Sequence, residues 1–249
     1  MKKFIALACA TLMSASTVMH AEDFNQIGLA YNLDMYNYSY KGGYEPDPIN
    51  ASGVAIKYIH GFGVSNSLPM FVETGLNLSF GFGSNDADEK GNVAQKTQFA
   101  SLAVPVNFSY KFGINDSFTI KPYLGINLKL NVLGRFKQEY TDGFYEDFEK
   151  ESGMTYEEFL ENYEQATGEP YDDGMGEWTN LYSSKARGGM GDKESTWNRF
   201  QLGWHIGVDL EFNKFVVGLN YGTDFIPAWK LKKNKVNSST FNIGIGFNF

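Results

Sequence analysis

Eight runs of strict apolar–polar alternation, a long–short rhythm in the gaps between them, and a chain end rich in glycine and phenylalanine predict an all-β fold. The expected architecture is an eight-stranded antiparallel transmembrane β-barrel with a long extracellular loop containing a short helix. Alternation places successive side chains on opposite faces of a strand, so each run has one apolar face and one small or polar face.

The first run has Ile27, Leu29, Tyr31, Leu33 and Met35 on the apolar face, with Gly28, Ala30, Asn32 and Asp34 between them. The second, Val54, Ile56 and Tyr58, is interrupted by Ala55 and Lys57. The third runs from Met70 to Phe82 and carries Glu73, Asn77 and Ser79 on its polar face. The fourth, Leu102 to Phe112, alternates with Ser101, Asn107, Ser109 and Lys111. The fifth, Phe118 to Val132, alternates with Lys121, Asn127 and Lys129. The sixth, Phe200 to Phe212, alternates with Arg199, Gln201, His205 and Asp209. Phe215 to Tyr221 and Phe241 to Phe249 complete the set, with Gly and Asn on their second faces. Pro105 and Pro122 each remove a ladder donor inside a run, and a local bulge is expected at both.

Alternation alone does not distinguish a soluble barrel from one facing lipid. Connection lengths do. The gaps cover residues 37–51, 63–69, 83–98, 113–117, 134–196, 213–214 and 226–237, long and short in turn. Bacterial outer-membrane barrels have short periplasmic turns and long extracellular loops. An even strand number closes the sheet and leaves no exposed edge. Aromatic girdles are expected at both interfaces: Tyr36, Phe80, Phe82, Trp197, Tyr221 and Phe225 outside, and Phe62, Phe112, Phe118, Phe212, Phe215 and Phe249 on the periplasmic side.

The chain of 249 residues is 16% aromatic and carries 27 Gly, and its mean hydropathy is −0.32. No apolar run is long enough for a membrane helix. A net charge of −8 argues against nucleic acid as a partner. Residues 1–21 read as a signal peptide: Lys2 and Lys3, an apolar stretch from Phe4 to Met13, then small residues, with cleavage expected after Ala21. Residues 22–249 then form one barrel domain. Cys9 would leave with the signal, so no disulfide or thiol chemistry is expected. Ala6-Leu7-Ala8 before Cys9 is a poor lipoprotein signal.

An eight-stranded barrel is just wide enough for its own side chains. The lumen-facing charges Asp34, Lys57, Glu73, Lys121, Lys129, Arg199 and Asp209, with His205, are expected to form a polar network that plugs it. A narrow channel is one alternative, and a barrel-embedded lipid-modifying enzyme is another. A nucleophile needs a base within hydrogen-bond reach. Beyond the signal, however, the histidines are only His60, on the lipid-facing register, and His205, with no motif around it. No catalytic residue, cofactor or metal is expected.

Between Gly134 and Thr196 lie 16 acidic and 6 basic residues, net −10, which equals the charge of the mature chain. Thr155-Tyr156-Glu157-Glu158 fits a capping box, and Tyr156, Phe159, Leu160 and Tyr163 form one stripe up to Gly168, predicting a helix over 155–167. This loop is the candidate surface for an extracellular partner. Asp172, Asp173 and Glu177 are oxygen ligands at close spacing without an EF-hand pattern. Beside the last loop, Trp229, Lys230, Lys232, Lys233 and Lys235 form a candidate lipopolysaccharide contact.

The chain ends Asn242-Ile243-Gly244-Ile245-Gly246-Phe247-Asn248-Phe249. Asn242, Gly244, Phe247 and Phe249 resemble the C-terminal assembly signal of bacterial outer-membrane proteins. The resemblance implies recognition by the barrel assembly machinery and residence in the outer membrane of a Gram-negative-type bacterium. Residues 24–249 as a whole resemble small eight-stranded barrels such as the OmpA transmembrane domain and OmpX, and the outer-membrane β-barrel domain family that includes PorT-like proteins. The long third loop departs from those compact barrels. No periplasmic domain follows the last strand, so a cell-wall role is not expected. The implied function is structural or surface-interacting.

Overall fold

The computed structural model describes residues 22–39, 48–65, 67–85, 92–183, 196–231 and 233–249; the expected signal peptide and Lys232 lie outside them. Among these residues twelve strands and two helices follow in order: β1 (Phe24–Ser39), β2 (Ile49–Gly63), β3 (Met70–Asn85), β4 (Val93–Tyr110), β5 (Phe112–Asn115), β6 (Phe118–Tyr140), α1 (Asp142–Ser152), α2 (Tyr156–Thr167), β7 (Thr179–Asn180), β8 (Thr196–Trp197), β9 (Phe200–Phe212), β10 (Phe215–Asp224), β11 (Trp229–Leu231) and β12 (Asn234–Asn248). Eight of them, β1-β2-β3-β4-β6-β9-β10-β12, pair antiparallel in sequence order, and β1 pairs β12 from Gln26↔Asn248 to Ser39↔Lys235 to close the ring. β5 continues the line of β4 along β6, and β7, β8 and β11 extend the wall at the end bearing the long connections.

Closure fixes which face looks inward, and the apolar face looks out. Ile245 and Phe215 are both 67% exposed, and Leu29, Ile56, Leu76, Leu124 and Ile206 are exposed with them. Asn32, Glu73, Asn107, Lys121, Gln201, His205 and Asp209 are buried instead. A contiguous apolar outer surface of this kind is far larger than a soluble monomer exposes, and it is what lipid solvates.

Both prolines keep their register. Pro105 stands opposite Asn127 of β6, and its missing donor interrupts the β3–β4 ladder between Thr74↔Val106 and Asn77↔Ala103 without shifting it. Thr74 Oγ1 donates to the Pro105 carbonyl at 3.0 Å. Pro122 pairs with Val208 and lies beside the break between β4 and β5, where Lys111 N–H turns to the Pro69 carbonyl. The expected bulges are therefore absent at the prolines. The register shift falls instead at Ala100/Ser101, which face Leu133 and Asn131 and leave Val132 as the extra residue.

The strands outrun their apolar alternation at the loop end. β3 reaches Asn85, β4 begins at Val93, and β6 continues to Tyr140. Ladder hydrogen bonds do not require apolar side chains, so a strand that leaves the lipid loses its sequence signal before it loses its pairing.

In the long third loop, α2 is capped at Thr155 by a reciprocal box with Glu158 and ends at Gly168 in the left-handed region (φ 75°). α1 was not anticipated. Thr141 caps it, Lys150 lies in its last turn and Gly153 stops it (φ 74°). Neither helix buries a residue. The pair is held by aromatic rings: Tyr140 stacks on Phe144 at 3.7 Å, and Tyr156 meets Tyr140, Phe144, Phe148 and Phe159 within 5.9 Å. Asp173 Oδ2 accepts from both Tyr140 and Tyr156 hydroxyls, at 2.9 and 2.8 Å.

Candidate site: a charged lumen beneath an apolar vestibule

Inward positions on β3, β6 and β9 bring charges of both signs to the short-turn half of the lumen. Lys121 is 0% exposed, and its Nζ lies 3.1 Å from Glu73, 3.1 Å from Asp209 and 3.6 Å from Glu211. It also donates to Gln26 Oε1 at 3.4 Å and sits 4.5 Å from the centre of the Phe24 ring. Lys111 pairs with the other oxygen of Glu211 at 3.0 Å and shares the Phe24 ring. Ser109 and Asn107 donate to the two oxygens of Glu73, at 2.6 and 3.3 Å. His205 Nε2 is 2.6 Å from the Asn107 amide oxygen. An amide is not a nucleophile, so this contact anchors His205 without activating anything. His60, outside the lumen, meets the Asn25 side chain at 2.8 Å.

A second network lies nearer the loop end. Lys129 Nζ and Ser238 Oγ both reach Asp224 Oδ2 at 2.5 Å. Gln201 donates to Ser238 at 2.8 Å and accepts from Asn131 at 2.7 Å. Asp34 accepts from Thr240 and Asn32, both at 2.6 Å. Between the two networks is a cavity of about 110 Å³, with Lys57, Asn77, Tyr123 and Asn220 among its lining residues. Its size, and the polar groups among its mixed walls, suit a few waters.

Of the charges expected in the lumen, Asp34, Lys57, Glu73, Lys121, Lys129 and Asp209 are there, with His205. Arg199 is not. It precedes β9 in a bend, where strand parity no longer applies. It is exposed at the rim, its Nη1 donates to the Asn131 and Val132 carbonyls at 3.4 and 3.3 Å, and its guanidinium covers the Tyr182 ring at 4.4 Å. Glu211 and Asp224 were missed. Each shares the inward parity of a neighbour on its own strand, Asp209 on β9 and Asn220 on β10, so continuing the alternation by one step from Asp209 and by two from Asn220 reaches them.

Above Asp224 the lumen changes character within one inward step. β1 goes from Asp34 to Tyr36, β4 from Ser101 to Phe99, and β12 from Ser238 to Val236. Tyr36, Ala51, Phe99, Leu181, Ala228 and Val236 pack together there, with Phe136, Trp197 and Trp229 against them. Tyr36 stacks on Phe99 at 4.6 Å and meets Trp197 at 6.0 Å. Tyr36 and Trp197 thus belong to the interior and not to the outer girdle, because the even parity of β1 carries Tyr36 inward with Asn32 and Asp34. Leu181 comes from the third loop, where β7 pairs with Arg135 and Phe136 and Leu181 N–H bonds to the Gly134 carbonyl at 2.9 Å.

The lysines of the last loop separate from their tryptophan. In the β11–β12 hairpin Trp229 pairs with Val236 and Lys230 with Lys235. Trp229 and Val236 face the vestibule, whereas Lys230 and Lys235, on the opposite face, are exposed with Lys233. The expected grouping of Trp229 with the lysines is corrected by that alternation.

At the C-terminus Asn242 is buried and its amide meets Asn220 at 3.4 Å. A Cβ on Gly244 would fall 2.6 Å from both Ala30 Cβ and the Leu29 carbonyl, so β1 and β12 approach closely there only because residue 244 is glycine. Phe247 packs edge-on against Phe215 at 5.6 Å, and Phe249 exchanges backbone hydrogen bonds with Asn25. In the third loop, Asp172 and Asp173 accept from the backbone of Gly174 and Met175, both at 2.9 Å. Among the described residues no group of three or more His, Cys, Asp or Glu is arranged to hold a metal.

Three solved outer-membrane structures are similar over nearly the whole chain. The attachment invasion locus protein Ail of Yersinia pestis is 18% identical, covers 93% of this chain and 100% of its own, and has a TM-score of 0.35. OprG of Pseudomonas aeruginosa is 13% identical over 93% and 98%, with a TM-score of 0.39. Neisserial surface protein A is 14% identical over 90% and 97%, with a TM-score of 0.36. No curated protein matches the chain. Residues 23–227 match the family model for the outer membrane protein β-barrel domain. With a closed eight-stranded sheet that turns its apolar face outward, the chain belongs to that family and is an outer-membrane barrel protein.

Proposed function

We propose that this barrel is closed to solutes and acts through its extracellular face, as a structural and surface-interacting component of the outer membrane. The observation that carries the reading is the Lys121 cluster, in which Lys121 lies across the lumen within ion-pair distance of Glu73, Asp209 and Glu211. Buried charges held this way are costly to separate, so the network is rigid. The purified barrel in liposomes is expected to give no uptake of neutral sugars by swelling. Uptake graded by sugar size would overturn the closed reading in favour of a narrow channel. Lipid release from labelled membranes that is lost in His205→Ala would favour the lipid-enzyme reading instead.

The outer face supports two partners. Lys230 and Lys235 lie side by side across the β11–β12 hairpin with Lys233 beyond them, a cationic group suited to lipopolysaccharide phosphates. Replacing Lys230, Lys232, Lys233 and Lys235 with Ala should reduce co-purified lipopolysaccharide, and unchanged lipid would reject the contact. The acidic α1–α2 segment, with Tyr145, Tyr163, Tyr171 and Trp178 exposed, is the surface for an extracellular partner. During biogenesis, Asn242, Gly244, Phe247 and Phe249 would be read by the assembly machinery.

A further inference from the structure

We infer that the vestibule above Asp224 is a binding site for a small neutral apolar molecule, of the size of a single aromatic ring or a short hydrocarbon, entering from the extracellular side. A cavity of about 210 Å³ remains there after the local side chains have packed. Its walls include Phe136, Trp197, Trp229 and Leu181, and its polar groups are Gln95, Thr97, the Tyr38 hydroxyl and the two indole N–H groups; among the described residues that line it none is charged. A cavity of roughly 150 Å³ with apolar walls is enough to take up benzene.

Two further observations favour this occupant. Clustered aromatic inward-facing side chains run against the lumen below, where the charged and amide groups from Asp224 to Lys121 stand among mostly small apolar ones. A barrel that needed only to be plugged could continue the same chemistry to the rim. The floor is also sealed. Asp224, Ser238 and Gln201 are joined to Lys129 and Asn131 by short hydrogen bonds, so an apolar molecule that enters meets charge below and aromatic rings around it. Such pockets, apolar with few convergent polar groups, are the usual form of small-molecule sites. Gln95 and Thr97 would select a ligand with one uncharged polar substituent over an anion, because a carboxylate would be desolvated here with no cation among the described lining residues.

The test uses the full barrel in lipid nanodiscs with Trp178→Phe and Trp204→Phe, which leaves Trp197 and Trp229 as the only tryptophans. Bromobenzene is titrated as a heavy-atom quencher, then displaced with toluene. The expected result is a saturable loss of fluorescence that toluene reverses, with no saturable phase for 4-bromobenzoate. Val236→Phe and Thr97→Phe, each filling the cavity, should weaken the saturable phase at least tenfold in whichever variant keeps the heat-shifted gel migration of a folded barrel. Quenching that is only linear in bromobenzene, as partition into lipid would produce, overturns the site. So does a saturable phase that toluene does not reverse, that 4-bromobenzoate matches, or that survives in a folded filled variant.

Discussion

Lys121 of β6 and Glu73 of β3 meet at 3.1 Å with the whole of β4 between their strands, and both side chains are buried. The contact therefore ties together strands that share no ladder. It also leaves Lys121 as the counter-charge to three carboxylates, of which only Glu211 has a second lysine in Lys111. Removing the lysine charge would leave Glu73, Asp209 and Glu211 crowded together with only Lys111, on Glu211, as a direct partner. Lys121→Met should destabilise the folded barrel by ~3–5 kcal/mol, read as a shift in the urea midpoint of heat-modifiable migration. The double change Lys121→Met with Glu73→Gln should recover part of that loss, because one of the stranded carboxylates goes with it. Equal midpoints for the single variant and the parent would remove the cluster from any role in stability.

Gly244 meets Ala30 so closely that a side chain has no room. Gly244→Val should strain the β1–β12 seam, the pairing that closes the ring. The expected outcome is slower conversion from the unfolded to the heat-modifiable form in lipid vesicles, at unchanged helix content in the third loop. Gly246→Ala, where the nearest atom to the added Cβ is 3.0 Å away, should be milder. If the two variants fold at the parent rate, glycine at 244 has no packing reason.

How far these sites could be read in advance depends on what each residue owes to alternation. Asp34, Glu73, Lys121 and Asp209 follow from parity alone, since a closed sheet sends every second residue inward. Closure itself follows from the long–short rhythm of the connections. Arg199 broke the rule because the strand had already ended, and Tyr36 and Trp197 were assigned to the girdle on their chemistry although parity placed Tyr36 inside. The vestibule was illegible for a different reason. Its members come from β1, β2, β4, β6, β8, β11, β12 and the third and fourth loops, so no single run displays it. α2 was legible through its capping box. α1 was not: Thr141 caps it without a reciprocal Glu or Gln, Phe144 standing at that position, and its first residues continue directly from the polar end of β6.

Leu181 and Arg199 hold the third loop against the rim from two sides, one packed in the vestibule and only 6% exposed, the other stacked on Tyr182. Leu181→Ala removes most of an apolar side chain from a packed site, a change that typically costs ~2–5 kcal/mol where the surroundings cannot collapse. That loss would be local, because the barrel ladder does not include Leu181. Limited proteolysis should therefore cut within residues 170–195 faster in Leu181→Ala, with the heat-modifiable midpoint unchanged. A shifted midpoint with unchanged cleavage would show the loop to be independent of the vestibule.

The Asp173 cluster gives the third loop a pH window. Burial pushes the Asp173 carboxyl up, but the Met175 N–H and the hydroxyls of Tyr156 and Tyr140 outweigh it, and the group is held below its ordinary range. Burial and donation to Asp173 push the Tyr156 hydroxyl well above its ordinary value. A lowered carboxyl contributes stability that is complete above the unfolded value of about 3.9 and is lost as pH falls through the folded one. A raised phenol contributes stability that is complete below about 10 and is lost as pH rises towards the folded value. The α1–α2 arrangement should thus hold between roughly pH 4 and 10 and loosen on either side, followed by near-ultraviolet circular dichroism of its stacked tyrosines. Asp173→Asn keeps an acceptor for the two hydroxyls but cannot titrate. It should flatten the acid limb, while Tyr156→Phe should weaken the alkaline limb to the share of Tyr140 and move the acid limb to higher pH, because Asp173 loses one of its two hydroxyl donors. An acid limb unchanged in Asp173→Asn would assign it to the many other carboxylates of the loop.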